Sequence, residues 1–188
     1  MKKSKFIVLA APSGSGKTTL VNKLLTEVKL NLEFSISATS RKPRKGEING
    51  KNYFFLSKDD FLKKIENNEF LEWEEVYKDT FYGTLISELE VSISKNIIFD
   101  IDVIGGLNIK KKFPNQTLTI FIKPPSISEL KSRLKKRKSE TDSSIKIRIE
   151  KAKYEMMSAK EFDCIVENDM LEKSYTEVFR LVNNFINE

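Results

Sequence analysis

The sequence predicts an α/β fold: a parallel sheet flanked by helices, with a mixed α/β lobe inserted after the first helix and a helical lid. Three observations predict it. A glycine-rich loop at Ala10 to Thr19 joins the apolar run Phe6–Leu9 to the helical pattern Leu20, Val21, Leu24, Leu25 and Val28. Apolar runs ending in acids or prolines, Asn96–Asp102 and Leu118–Pro125, alternate with helix-period segments, as buried parallel strands do. Between the first helix and these runs, an aromatic-rich stretch with its own turn residues reads as an inserted unit. The 188 residues are expected to form one domain, with core 1–33 and 85–188, lobe about 34–84 and lid about 126–150.

Composition narrows the chemistry. The formal net charge of +6 suits nucleic acid, a membrane surface or small anionic substrates. With no histidine, a Ser-His-Asp triad and imidazole metal ligands are excluded. One cysteine, Cys164, rules out an internal disulfide and points to a reducing compartment, so a cytoplasmic location is expected. No apolar run is long enough to cross a bilayer, so membrane association is not expected.

In chain order, Phe6–Leu9 reads as a strand and Ala10-Ala11-Pro12-Ser13-Gly14-Ser15-Gly16-Lys17-Thr18-Thr19 as a phosphate loop opening a helix. Turning a strand into a helix over so few residues aims backbone N–H groups into a concavity, and the helix N-terminus adds partial positive charge. Gly14 and Gly16 admit close approach of phosphate oxygens, Lys17 reaches the β and γ phosphates, and the Thr18 hydroxyl can ligate Mg²⁺. The loop pattern G-x-x-x-x-G-K-[ST] has Ala11 where its first glycine is expected. The loop therefore proposes ATP or GTP, with Ser13, Gly14, Ser15, Gly16, Lys17, Thr18 and Thr19 as the candidate contacts, and the sheet is of the P-loop NTPase type.

Phe34–Ser37 alternates as a strand and leads into a loop where Arg41 and Arg44 offer planar forks for a phosphate; the same composition suits a solvated basic loop. Lys51–Leu56 reads as a strand, Ser57 as the N-cap of a helix to about Asn67, and Phe70–Tyr77 as a returning strand, before Phe81-Tyr82-Gly83-Thr84 closes the lobe. A helix from about Ile86 to Ser94 precedes the strand Asn96–Asp102, whose Asp100 is placed to hold Mg²⁺ through water. Gly105 and Gly106 are expected to begin a turn into a short helix ending at Phe113. After the strand Leu118–Ile122 comes a cationic helix, Ser128–Lys138, in which Arg133 and Arg137 share one side, with Arg148 on the next helix. Together these read as a lid bringing charge over a triphosphate. The helix from about Ser143 to Lys160 turns Ile145, Ile149, Ala152 and Met156 inward. Asp163–Asn168 is the last core strand, Cys164 a core residue, and an amphipathic helix with Tyr175, Val178, Phe179, Val182 and Phe185 ends the chain.

The ordered residues Ser35-x-Ser37-x-Thr39-Ser40-Arg41-x-Pro43-Arg44-x-Gly46-Glu47-x-x-Gly50-x-x-Tyr53, in which Ser40 stands in place of the pattern's second Thr, with Phe70-Leu71-Glu72-Trp73, Tyr82-Gly83-Thr84 and Asp100-Ile101-Asp102, resemble the guanylate kinase family over nearly the full length. That resemblance implies phosphorylation of GMP by ATP with Mg²⁺, through a core, a GMP-binding lobe and a lid. It implies that Arg41, Arg44, Tyr53 and Tyr82 hold the GMP phosphate, and that Ser37, Glu72, Thr84 and Asp102 read the base. It places Lys17 and Thr18 on the ATP phosphates and metal, Arg137 and Arg148 on phosphate with Arg133 beside them, and Asn168 near the adenosine side. The expected catalytic cations are Lys17, Arg41, Arg137 and Arg148; the expected metal residues are Thr18 and Asp100. Ile104 stands where the family commonly has glutamine.

Elementary chemistry agrees. Guanine presents donors at N1 and N2, which an ionised carboxylate at Glu72 can accept; adenine has an acceptor at N1 and no amino group at C2. The nucleophile, a GMP phosphate oxygen, is already ionised at neutral pH, so a chain without histidine can still catalyse the transfer by positioning and charge neutralisation. A scaffold module that binds proteins would tend to lose the phosphate loop, whereas Lys17, Thr18 and the arginines are intact. No aromatic-interleaved basic motif supports nucleic-acid binding, so the expected partners are ATP and GMP.

Overall fold

The computed structural model describes residues 4–90, 94–136 and 141–188. Its organising strand is β1 (Phe6–Ala10), a continuous apolar run buried on both faces. Successive side chains point to opposite sides of a strand. Ile7 and Leu9 accordingly pack with Leu20 and Leu24 of α1 (Lys17–Leu25) and with Val178 and Val182 of α7 (Leu171–Asn187). Phe6 and Val8 turn the other way, toward Phe99 and Ile109. Each such fully buried aliphatic or aromatic side chain contributes roughly 1.5–3 kcal/mol of burial.

The strand lies at the centre of a five-stranded parallel sheet. One neighbour is β7 (Asn96–Ile101), with β2 (Leu32–Phe34) beyond it; the other is β8 (Thr117–Lys123), with β9 (Cys164–Glu167) beyond. A second, four-stranded mixed sheet has the order β4 (Phe54–Phe55), β3 (Ala38–Thr39), β6 (Thr80–Leu85), β5 (Phe70–Tyr77). Helix α2 (Lys58–Glu66) covers it, with Phe61 stacked on Phe70 at 4.4 Å between ring centroids. The Ser57 hydroxyl caps α2 by accepting the Asp60 N–H, as the Ser-Lys-Asp-Asp start predicts.

Several boundaries differ from the sequence expectation. The first alternating segment splits: β2 joins the core sheet and ends at Phe34, and the chain enters the lobe sheet only at Ala38. The strand expected over Lys51–Leu56 shrinks to Phe54–Phe55, because the Lys51 and Asn52 N–H groups both donate to the Ile48 carbonyl in a turn, which Asn52 Oδ1 fixes by accepting the Ile48 N–H, so this backbone has local partners in place of a ladder. Gly105 and Gly106 do not precede the helix but lie within α4 (Val103–Lys112), which Asp102 caps by accepting the Gly105 N–H at 2.9 Å. A Cβ on Gly106 would sit 2.9 Å from Val8 Cγ1, so the glycine lets α4 press against β1. Helix α3 covers Ser87–Glu90, and the rest of the expected Ile86–Ser94 helix includes residues 91–93, outside the described residues. Cys164 is only partly buried, at the rim of the core.

Over the segment expected as a lid lie α5 (Ile127–Lys136) and α6 (Asp142–Met157), which pack through Leu130, Leu134, Ile145 and Ala152. Leu130 and Leu134 also rest on the phosphate loop, 3.2 Å from where a Gly14 Cβ would stand. Arg137, expected beside Arg133 on the cationic helix, lies outside the described residues. Among the described residues no helix is long and apolar enough to cross a membrane.

Candidate active site

The carboxyl ends of β1 and β7, the start of α1, the lobe sheet and α6 enclose a cleft of about 660 Å³. Clefts outside the carboxyl ends of parallel strands are where such sheets bind ligands. Ser13 to Thr19 line one part of it. Gly14 and Gly16 adopt positive φ, 99° and 89°, the left-handed region that glycine occupies at little cost. A Cβ on Gly16 would lie 2.4 Å from Asn168 Nδ2, so the loop's curvature and its backing both require glycine there. Ala11 is buried in the core, where a methyl group is accommodated.

At the start of α1, Lys17 Nζ lies 2.8 Å from Asp100 Oδ1 and also donates to the Ile101 carbonyl. Thr18 Oγ1 donates to Asp100 Oδ2 at 2.7 Å. Hydroxyl and carboxylate oxygens thus converge beside the loop, a hard-oxygen set that fits Mg²⁺. Arg148 Nη1 donates to Ser13 Oγ at 2.8 Å, bringing a cation of α6 to the loop.

Two expected ATP residues buttress the loop and do not line the cleft. Asn168, 5% exposed, donates to the Ser15 carbonyl at 2.7 Å. Arg133 reaches the same carbonyl at 3.4 Å and that of Asn168 at 3.2 Å, while its Nε donates to Glu129.

The lobe supplies the other wall. Ser37, Arg41, Arg44, Tyr53, Glu72 and Tyr82 all face the cleft, as does Asp102. Arg41 is engaged by Glu47 in a fork, with Nη1–Oε2 at 2.6 Å and Nη2–Oε1 at 2.7 Å, and its guanidinium lies over the Tyr53 ring. Burial works to lower the Arg41 pKa, but the Glu47 bond and nearby Tyr82, Glu47 and Tyr53 outweigh it and hold the guanidinium above its usual value. The Arg41 bond in turn draws the Glu47 carboxyl below the usual range. Burial pushes the Tyr53 hydroxyl up to about 12.

Glu72 is a buried carboxylate, 7% exposed, on β5. Its Oε1 accepts the Thr84 hydroxyl at 2.7 Å, so Thr84 sits behind Glu72 and orients it. A Cβ on Gly105 would lie 2.5 Å from Oε2, which places that second oxygen tight against α4. Burial pushes the Glu72 carboxyl up to about 7; the Thr84 bond opposes this and the Asp102 charge adds to it. Ile104, in the family's glutamine position, is 50% exposed and offers no polar group.

Sequence reasoning missed a second polar group in the same cleft: Glu74, Tyr77, Lys151 and Glu155. Lys151 Nζ stands 3.4 Å from Asp102 Oδ2 and 3.6 Å from Glu155 Oε1. Burial first, then the Asp102 charge, lifts Glu74 to about 7; burial likewise lifts Glu155 to about 7, against the pull of Lys151. Two signals were present. Strand period two puts Glu72 and Glu74 on one face, and helix spacing puts Arg148, Lys151 and Glu155 on one stripe.

Comparison with known proteins adds three findings. The family model described as "Guanylate kinase" matches residues 3–185. The curated guanylate kinase of Bacteroides thetaiotaomicron is 51% identical over 186 residues, covering 98% of this chain and 91% of that protein. That of Porphyromonas gingivalis is 49% identical, covering 97% and 98%. Among solved structures, the guanylate kinase from Anaplasma phagocytophilum aligns with a TM-score of 0.81 at 28% identity, over 99% of this chain and 88% of that one.

Proposed function

The chain belongs to the guanylate kinase family, and from that premise we propose how its own residues transfer the γ-phosphoryl group of ATP to GMP, giving ADP and GDP. The observation that carries the residue roles is a buried carboxylate, Glu72, lining the same cleft as a phosphate loop.

In this reading the backbone of Ser13 to Thr19 cradles the ATP phosphates, and Lys17 leaves its ion pair with Asp100 to neutralise charge on the transferring group. Thr18 and Asp100 would hold Mg²⁺, which would supply further neutralisation of the phosphate charge. Arg41 and Arg44, with Tyr53 and Tyr82, receive the GMP phosphate; the acceptor phosphate takes over the guanidinium fork that Glu47 occupies. Arg148 and Arg137 complete the cationic surround. Glu72, oriented by Thr84 and assisted by Ser37 and Asp102, accepts hydrogen bonds from the guanine N1–H and N2–H. Arg133 and Asn168 act by holding the loop's curvature.

The single domain works as a core (1–33 and 85–188), a GMP lobe (about 34–84) and a lid (about 126–150) that close together, since transfer needs water excluded and cations converged. A cytoplasmic location follows from the single cysteine and the nucleotide substrates. The test is ADP release with Mg-ATP and a panel of monophosphates. Turnover with GMP and little with AMP, CMP, UMP or dTMP supports the assignment; equal turnover with AMP would overturn it.

A further inference from the structure

We propose that Lys151 is a positioning residue that couples recognition of the guanine ring to the placement of Arg148 over the phosphate loop. Arg148 and Lys151 are one turn apart on α6, and both cations stand against one ring, that of Tyr77, at 5.4 and 5.5 Å from its centroid. Tyr77 is the last residue of β5, the strand that carries Glu72. From this shared platform the two side chains reach different sites. Arg148 bonds Ser13 of the loop at 2.8 Å, whereas Lys151 meets Asp102, the cap of α4, at 3.4 Å.

Lys151 is thereby placed to report on the base pocket. It sits among Asp102, Glu155 and, farther off, Glu74; burial alone would lower its pKa, yet these three carboxylates raise it. Any ligand that fixes Asp102 fixes the ammonium beside it, and with it the α6 turn bearing Arg148. Without the ammonium, the carboxylates lose the cation that spans β5, α4 and α6, and α6 is no longer held to the base pocket by charge.

The inference rests on the reading of Asp102 as guanine-facing and Arg148 as phosphate-facing. Its test is calorimetric titration of GMP and of a non-hydrolysable ATP analogue, each alone and with the other saturating, on wild type, K151M and K151R. In wild type, saturating GMP tightens the analogue by about fivefold or more, the range of ordinary allosteric coupling. In K151M that factor falls below about twofold while each ligand's solitary Kd moves less than about threefold, and kcat drops about tenfold or more because Arg148 is misplaced. K151R restores most of the coupling. Should K151M not fold, K151Q is measured for the same loss. Coupling unchanged in the charge-removed variant, or absent from wild type, would overturn the proposal; so would parallel loss of both solitary affinities and of Tm, the mark of a merely structural lysine. Failure of the underlying reading has a separate signature, because D102N would then leave the Kd of GMP, or R148M that of the analogue, unchanged within about twofold.

Discussion

At the phosphate loop, one continuous stretch from Ala10 to Thr19 supplies nearly everything the proposed donor site needs, and its outside partners, Asp100, Asn168 and Arg148, steady it. At the proposed guanine site, Ser37, Glu72, Thr84 and Asp102 come from separate segments, and the key group is a carboxylate held against its preference for water. Phosphate can be bound by backbone geometry that any chain with the right glycines makes locally. Telling guanine from adenine takes a side chain with a defined charge, buried so that the wrong partner leaves it unsatisfied. The two ends should therefore fail differently when altered.

The largest effect is expected at the loop. Lys17→Met should lower kcat by on the order of 10²–10³ or more, the cost of removing a preorganised charge from the transition state, with GMP affinity unchanged within about threefold. Steady-state kinetics beside GMP titration checks it; a near-wild-type kcat would remove Lys17 from the transfer. At the guanine end, Gly105→Ala forces a methyl to within 2.5 Å of Glu72 Oε2. Alanine favours the helix by about 1 kcal/mol, so the protein should not lose its fold, yet KM for GMP should rise about tenfold or more, equivalent to ~1.4 kcal/mol, with ATP affinity unmoved. Equal losses for both nucleotides would show that the methyl disturbs the cleft as a whole.

The smallest effect is on pH. Glu72 has a folded-state pKa raised from 4.5 to about 7, so its contribution to the stability of the ligand-free protein is present below about 4.5 and is lost as pH rises through about 7. GMP, which needs the ionised form, reverses that preference. Its Kd should tighten severalfold as pH rises from about 6 to about 8, beyond the part due to the second ionisation of its own phosphate near about 6. The Glu72→Gln variant should lose the Glu72 share of that slope and keep what the phosphate and the raised carboxyls of Glu74 and Glu155 contribute. Titrations at matched ionic strength read the difference, and identical slopes in both proteins would place the proton elsewhere.

The same contrast governs what the sequence discloses. The loop is legible because its function depends on neighbours in the chain: glycines, lysine and threonine at fixed spacing after a buried strand. Glu72 and Thr84 become a pair only through the β5–β6 ladder, where they are cross-strand partners, so their reading came from family resemblance and not from spacing. Asn168 and Arg133 also bond the Ser15 carbonyl from outside the loop, a contact between distant segments that no local pattern carries. Lys151 and Glu155 went unread because a charged stripe on a long helix is most often a solvated face; only the packing of α6 over the cleft turns it inward.

The most direct measurement compares GMP with inosine monophosphate, which keeps the N1 donor but lacks the N2 amino group, in wild type and in Glu72→Gln. If one carboxylate accepts both hydrogen bonds, the variant loses roughly 2–4 kcal/mol in kcat/KM for GMP, the size of a lost charge-assisted bond plus an unpaired buried donor, with little change in ATP affinity. The wild-type preference for GMP over the inosine nucleotide, about tenfold or more, should shrink to within about threefold in the variant. A loss for GMP below about threefold, or a preference that survives the substitution intact, would take Glu72 out of the base-reading site.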